Sequence, residues 1–478
     1  MTSLPPQLPR VVPHLGQDGQ LCYLARGTVA LDVFDVPGQV LACLAEAEKV
    51  LSSLLRGEKL EDLEEEFYAY WGGWHCLEDV QERKLGRHAC LVLGKTSPML
   101  VVTDDRDRTS RKLAALQTSA EESSWPAFRI RTKASPRPDR QQWPPKRLGQ
   151  LLSWQSRLDP RCRKKIEQRV REAVSEKARG VLLLIESPKY TYGAAVDLEK
   201  AVATGQKRRL MNAELHEAEV TPVSVVRIDD RYMAERNTPG RTTLSGKRIV
   251  VVGCGTIGGY LADLLVKAGA GTGGGWMELV DFDSLWPSNV GRHRLGFEYV
   301  FKNKAVALQS ELSRHAPGAD IRAKPVNVSE AGLFEYDLLI DATGEESLGC
   351  WLSQRTQDAA MLSVWVEGPG IAARALLRHS AESACYRCLV DANRRGELLV
   401  LNQPTPVVLA GQGCEGLYVP FPATASVQAA SLATELTLDW ANGRQSPGLR
   451  TRLLHPDYEL ATHDCDLLPR VGCVVCGQ

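Results

Sequence analysis

Residues 250–259 read VVVGCGTIGG, an apolar run breaking into glycines, and about twenty residues further on comes LVDFDSLWPSNVGRHRLG. Gly253, Gly255 and Gly258 have the spacing that lets backbone N–H groups at the start of a helix approach phosphate oxygens. Asp281 ends the next apolar run, where a carboxylate can accept hydrogen bonds from a ribose. Alone, this pattern suits a nicotinamide dinucleotide as well as ATP, and glycines needed only for packing would read the same way. The residues downstream shift the balance: Asp283, Asn289, Arg292 and His293, then Lys304 in a helical pattern. Hydride transfer needs little cationic charge beyond the pyrophosphate. Expulsion of pyrophosphate needs cations and amide donors over the β- and γ-phosphates, where charge gathers in the transition state. Asn289, Arg292 and Lys304 are groups of that kind.

The cysteines suggest two further chemistries. Cys385 and Cys388 lie in ACYRCL, and Cys473 and Cys476 in VGCVVC, so two CxxC pairs offer a tetrahedral thiolate set for a structural Zn2+ that ties the tail back onto its domain. Cys414 lies between the pairs, in the glycine- and proline-rich GQGCEGLYVPFPATA ahead of a long helical pattern. A loop cysteine near a helix start can have a lowered pKa and attack an acyl group as thiolate; it can also be a packing residue. In PHLGQDGQLCYL, Asp18-Gly19 reads as a turn and LCYL as a short strand, which makes Cys22 a buried thiol on the plainest reading. Cys254, inside the glycine turn, reads as a small packing residue.

Periodicity and turn residues predict the framework that carries these groups. Apolar residues at three- and four-residue spacing from Asp32 to Trp71 predict a helical hairpin, and residues 86–105 predict a β-hairpin. SPRPDRQQWPPKR, residues 135–147, reads as a loop; a helix over Pro160–Arg179 then leads into the buried-strand run GVLLLIE. From about Arg227 strands and helices alternate, which predicts a parallel sheet with crossover helices. A chain of 478 residues implies two or three domains, with the main boundary between residues 205 and 240. Zero formal net charge removes the electrostatic argument for nucleic acid or anionic membrane. With no secretion signal or membrane-spanning run, the expected location is the cytoplasm, where thirteen cysteines point to thiol or metal chemistry rather than a disulfide framework.

GCGTIG, DFD, SNVGR and NKA, in that order, resemble the ubiquitin-activating and ThiF/MoeB-type adenylyltransferases over residues 227–478. The resemblance implies ATP-dependent adenylation of a protein's C-terminal carboxylate. Gly253, Gly255, Gly258, Asp281 and Asp283 would bind the nucleotide, and Asn289, Arg292 and Lys304 the triphosphate. RYMAER resembles the arginine segment that completes a partner's phosphate site, which implies a homodimer and roles for Arg231 and Arg236. Gly344, in LLIDATGEESLG, stands where the family carries a Mg2+-binding aspartate, leaving Asp341, Glu345 or Glu346 for the metal. The same resemblance makes Cys414 the acyl acceptor of a crossover loop and the four paired cysteines a structural zinc site.

His14, Asp18, Gly19 and Cys22 resemble the active-site segment of ubiquitin-conjugating enzymes, with Leu15-Gly16 replacing the usual Pro-Asn, which makes Cys22 a second candidate acceptor. The whole resembles bacterial antiphage fusions. It implies an α/β fold: a Rossmann-like adenylation domain at 216–478 with a mixed sheet and zinc, a smaller α+β conjugating-like region at 1–76, and a middle α/β domain at 77–215. The implied partner is a ubiquitin-like or C-terminally glycine-exposed protein, with a separate conjugating enzyme as a further option. Two rival readings stand beside it: a sulfur-carrier adenylyltransferase, and a scaffold that binds the carrier without activating it.

Overall fold

In a computed structural model, the structure describes residues 9, 11–16, 19–24, 31–93, 99–123, 125–203, 213–332, 335–356, 359–380, 382–404, 406–411, 417–444 and 447–476. The chain divides into two compact units, Met1–Asp229 and Asp230–Gln478.

The first unit opens with helix α1 (Val36–Leu55), whose start is capped by the Asp35 carboxylate accepting from the Gly38 N–H, followed by the short helices α2 (Asp62–Glu65) and α3 (Phe67–Trp71). The strands are β1 (Trp74–Asp79), β2 (Gly86–Leu93), β3 (Met99–Thr103), β4 (Glu121–Glu122), β5 (Ala127–Arg131), β6 (Gly180–Glu186), β7 (Thr191–Asp197) and β8 (Val220–Arg227). The longer helices between them are α4 (Arg106–Ala115), α5 (Leu148–Leu158) and α6 (Pro160–Ser175), and the shorter ones α7 (Glu199–Ala203) and α8 (Ala213–His216). The expected hairpin is β2 against β3, and residues 135–147 contain no described helix or strand.

Among the described residues the strand order is β3-β1-β8-β7-β6-β5-β2-β4, and β3 also pairs with β2, so the sheet closes on itself. Alternation along β6 shows its two sides. Leu182 and Leu184 pack inward with Cys76, Cys90 and Val102, while Val181, Leu183 and Ile185 pack outward against the α5 and α6 residues Leu148, Leu151 and Ile166. Residue 76 lies within β1, and β8, beyond residue 215, pairs with both β1 and β7. Strands on both sides of residues 76 and 215 therefore belong to one hydrogen-bonded sheet.

The second unit begins with α9 (Asp230–Glu235) and continues β9 (Arg248–Val252), α10 (Thr256–Lys267), β10 (Trp276–Val280), α11 (Lys304–His315), β11 (Ile321–Lys324), β12 (Leu338–Asp341), α12 (Glu346–Arg355), β13 (Ala360–Glu367), β14 (Ala372–Arg378), α13 (Tyr386–Arg394), α14 (Ala423–Ala441) and β15 (Leu449–Leu453). Sheet order is β11-β10-β9-β12-β13-β14-β15, parallel from β11 through β13 and antiparallel beyond. The chain runs outward from β9 through β10 to β11, then returns to add β12 on the other side of β9. A crevice opens beyond the carboxyl ends of strands at such a reversal. Leu261 and Leu265 of α10 and Ala429, Ala433 and Leu436 of α14 cover one face with the inward residues Ile249, Val251 and Leu279. Among the described residues no helix is long and apolar enough to cross a membrane.

Candidate functional site

The crevice at the ends of β9, β10 and β12 is a cavity of about 640 Å3, within the range of small-molecule sites. Its wall includes Gly253, Gly255, Asp281, Asp283, Asn289, Arg292 and Lys304, so residues from separate strands, turns and helix starts meet around one space.

The three glycines have different reasons. A Cβ on Gly258 would sit 1.8 Å from the Gly253 carbonyl oxygen, and one on Gly253, at φ 85°, would meet the Thr343 Cγ2 at 2.8 Å. Both let β9, α10 and the end of β12 pack closely. Gly255 has open space where its Cβ would be and stands at the N-cap of α10. The unpaired N–H groups of the first turn of α10 therefore lie beside the cavity, with room for an anion.

Asp281 accepts from the Cys254 N–H at 2.8 Å and from the Asp283 N–H at 2.8 Å, which fixes the turn after β10. Burial raises its pKa above the usual carboxylate value, and the remaining lone pairs can take ribose hydroxyls. Asn303 caps α11 and donates to the Asp281 carbonyl at 2.9 Å. It thereby brings Lys304 to the cavity, where Nζ lies 2.5 Å from Asp283 Oδ2. The Asn289 side-chain oxygen accepts from the Trp286 N–H at 3.0 Å, closing a short 3-10 turn. Arg292 makes no ion pair with a described residue. Its Nη1 donates to the Val419 carbonyl at 3.3 Å, and burial lowers its pKa.

His293 is buried. The Leu295 N–H reaches its Nδ1 at 3.0 Å, which assigns the proton to Nε2 facing the Cys254 carbonyl at 2.9 Å. Burial pushes its pKa down to about 4, so the ring is neutral at pH 7 and serves as a brace under the glycine turn.

The carboxylates near Gly344 separate by position. Asp341 is buried beneath the wall, accepting from the Thr343 N–H at 3.0 Å and hydroxyl at 2.6 Å; Glu345 lines the cavity; Glu346 is paired with Arg394. Burial lifts the Asp341 pKa to about 6. A folded pKa above the unfolded value means stability is full below about pH 4 and is lost as pH rises through 6, by roughly 3 kcal/mol for two units. Asp341→Asn keeps an acceptor for Thr343 and removes the ionisation. Its melting temperature, relative to the unmodified protein, is expected to rise between pH 4.5 and 7.5 in thermal unfolding; a constant difference would contradict this.

Arg231 pairs with Glu235 at 2.7 Å and Arg236 lies over the Tyr232 ring at 5.8 Å; neither lines the cavity. Cys414 lies outside the described residues. Cys22, which its local sequence suggests is buried in a strand, is exposed and follows a single bridge between Leu15 and Leu21. Its N–H donates to the His14 carbonyl at 2.7 Å, and the His14 ring nitrogens lie 2.8 Å from Asp62 and 2.9 Å from Glu66. The two carboxylates fasten the turn carrying Cys22 to α2 and its end.

Cys385, Cys388, Cys473 and Cys476 bring their sulfurs within 4.8 Å of one another. Neighbouring sulfurs are 3.7, 3.7 and 3.6 Å apart, close to the roughly 3.8 Å edge of a tetrahedron with Zn–S bonds of about 2.3 Å. The donor set and its geometry fit a closed structural metal site. Sequence reasoning missed Thr343, which braces Asp341, and Tyr418 and Phe421, which wall the cavity beside Arg292. No local sequence signal ties the last two to Arg292.

A profile of the ThiF family matches residues 230–470, and one of the prokaryotic E2 family B matches residues 4–75. The ATP-dependent ubiquitin transferase-like protein Cap2 of Pseudomonas aeruginosa (strain BWHPSA011 / Pa011) is 55% identical over 482 residues, covering 100% of this chain and 89% of that protein. Proteins of the same description from Escherichia coli (strain TW11681) and Vibrio cholerae serotype O1 are each 27% identical, covering 88% and 90% of this chain and 79% and 80% of theirs.

Proposed function

Because the chain belongs to the ThiF family and to the ATP-dependent ubiquitin transferase-like proteins, we propose that it adenylates the C-terminal carboxylate of a ubiquitin-like protein and passes the acyl group to a cysteine. The setting is bacterial antiphage defence in the cytoplasm. The observation that carries the reading is the cavity itself: Arg292, with no carboxylate partner among the described residues, and Lys304 stand beside the open Gly255 and the ribose-ready Asp281.

In this reading the fold of residues 230–470 is a Rossmann-like adenylation domain. The N–H groups at the start of α10 take the phosphates, Asp281 the ribose, and Asn289, Arg292 and Lys304 the β- and γ-phosphates. A carboxylate oxygen of the carrier attacks the α-phosphorus and pyrophosphate leaves with the charge that Arg292 and Lys304 neutralise. A thiolate then attacks the acyl carbon, forming a thioester and releasing AMP. Mg2+, when bound, would supply further neutralisation of the triphosphate. Of the three carboxylates expected for it, Glu345 faces the cavity and is the one we assign. Zn2+ on the four paired cysteines is structural. Carrier-dependent exchange of labelled pyrophosphate into ATP tests the whole assignment, and its absence with ubiquitin-like carriers would remove it.

The two candidate thiols are ordered by chemistry. The first acceptor must bring its sulfur within about 3 to 3.5 Å of the acyl carbon, which favours Cys414, in the same unit as the cavity. Cys414→Ala is expected to keep exchange and lose every reductant-sensitive carrier adduct. Cys22→Ala is expected to keep that adduct and lose onward conjugation. An adduct that survives the first substitution and vanishes in the second reverses the order.

Arg231 and Arg236 are assigned to the cavity of a second copy. Light scattering of the chain with ATP and carrier is expected to give the mass of a dimer, and a monomer would withdraw that role.

A further inference from the structure

Arg292 has no carboxylate beside it among the described residues, and two aromatic rings take that place. Its Cζ lies 4.8 Å from the centre of the Tyr418 ring and 4.7 Å from that of Phe421. All three residues, with Val419, belong to the cavity wall. A guanidinium can stack through the faces of its plane while its N–H groups donate outward along the edge. Contacts with rings and hydrogen bonds to phosphate therefore use different parts of the same group.

Each ring has a main-chain or packing anchor. Tyr418 and Ala410 exchange both main-chain hydrogen bonds at 2.9 Å. Phe421 stands between Pro420 and Pro422, each with a restricted φ, immediately ahead of α14. Its Cβ is near Gly370, where an added methyl would lie 3.3 Å from it, so the segment also rests closely on the turn between β13 and β14. An arginine side chain has many rotamers, and a flexible cation facing solvent would lose much of its effect on a phosphate to the cost of ordering.

We propose that Tyr418 and Phe421 are positioning residues for adenylation: they hold the Arg292 guanidinium by its faces and present its N–H edge to the triphosphate. The inference rests on the nucleotide reading of the cavity and extends it to two residues that touch no reacting atom. Tyr418 is 44% exposed, so its ring is not part of a sealed core that folding alone would explain.

A double-mutant cycle on the full chain tests it, read by calorimetric ATP binding and by kcat/KM for ATP in pyrophosphate exchange. Tyr418→Ala and Phe421→Ala are each expected to weaken both quantities about tenfold. Tyr418→Phe, which keeps the ring, is expected to recover most of that loss. In an Arg292→Ala background the ring substitutions are expected to change neither quantity further, because the group they position is gone. An unchanged melting temperature and circular dichroism spectrum show that each variant is folded. Losses that simply multiply with that of Arg292→Ala, or a Tyr418→Phe variant as poor as Tyr418→Ala, would overturn the positioning role while leaving ATP binding in place. Failure of the unmodified chain to bind ATP would instead remove the nucleotide reading, and this proposal with it.

Discussion

Cys473→Ser is expected to yield a chain that carries less than one zinc and whose second unit unfolds well below the temperature of the unmodified protein. The reason lies in what a metal at the four cysteines would join. Cys385 and Cys388 sit at the start of α13, Cys473 and Cys476 come from the far end of the unit, and their local cluster is small: Ala384 and Val475 are its other buried residues. So small a patch, with the Arg470–Asp391 ion pair and the partly buried Leu467 beside it, contributes little apolar burial to holding the tail. A four-thiolate site makes metal binding part of the folding free energy, on the order of 10 kcal/mol for structural zinc in small domains. Elemental analysis and a melting curve with and without chelator check it. A well-folded, metal-free preparation would end the assignment, and the close sulfurs would then be read as packed thiols.

In Arg292→Ala, exchange of pyrophosphate into ATP is expected to fall by at least a hundredfold, corresponding to roughly 3 kcal/mol of lost transition-state stabilisation. The size follows from the surroundings. Lys304 shares its charge with Asp283 at 2.5 Å, whereas Arg292 has no anion to leave among the described residues. Its charge is therefore more fully available to the departing phosphates. Lys304→Ala should have the smaller effect of the two, since Asp283 already neutralises part of the charge it removes. Near-normal exchange in Arg292→Ala would sink the role given to it.

Much of the second unit was legible because its signals are local. The glycine turn, the strand after it, the helix carrying Lys304 and the CxxC pairs each depend on residues a few positions apart. The distinction between Gly255 and its two neighbours was not legible, because it depends on Thr343 and on the Gly253 carbonyl, which only the folded chain sets against them. Tyr418 and Phe421 were missed for the same reason: their partner is more than a hundred residues away, and no periodicity relates the three. The antiparallel strands β14 and β15 extend a sheet whose parallel part was expected from alternating strands and helices. In the first unit the hairpin β2–β3 was readable from its two apolar runs. That β1 would lie beside β8 was not, since each run is compatible with any neighbour. Reading Cys22 as buried failed because the short strand it assumed is, among the described residues, a single bridge between Leu15 and Leu21, which leaves the thiol exposed.

The pairing of β1 with β8 has a kinetic meaning. Trp74 lies opposite Val223, and the ring cannot close until strands far apart in the sequence of the unit have met. Closure of so long a loop must be reached before its hydrogen bonds repay it, and non-local pairing of this kind folds slowly. Once closed, the ring pairs its seven longer strands on both sides, so partial fraying at one strand exposes two neighbours at once. The unit should therefore open rarely and as a whole. In hydrogen exchange its central amides would share a single slow opening event.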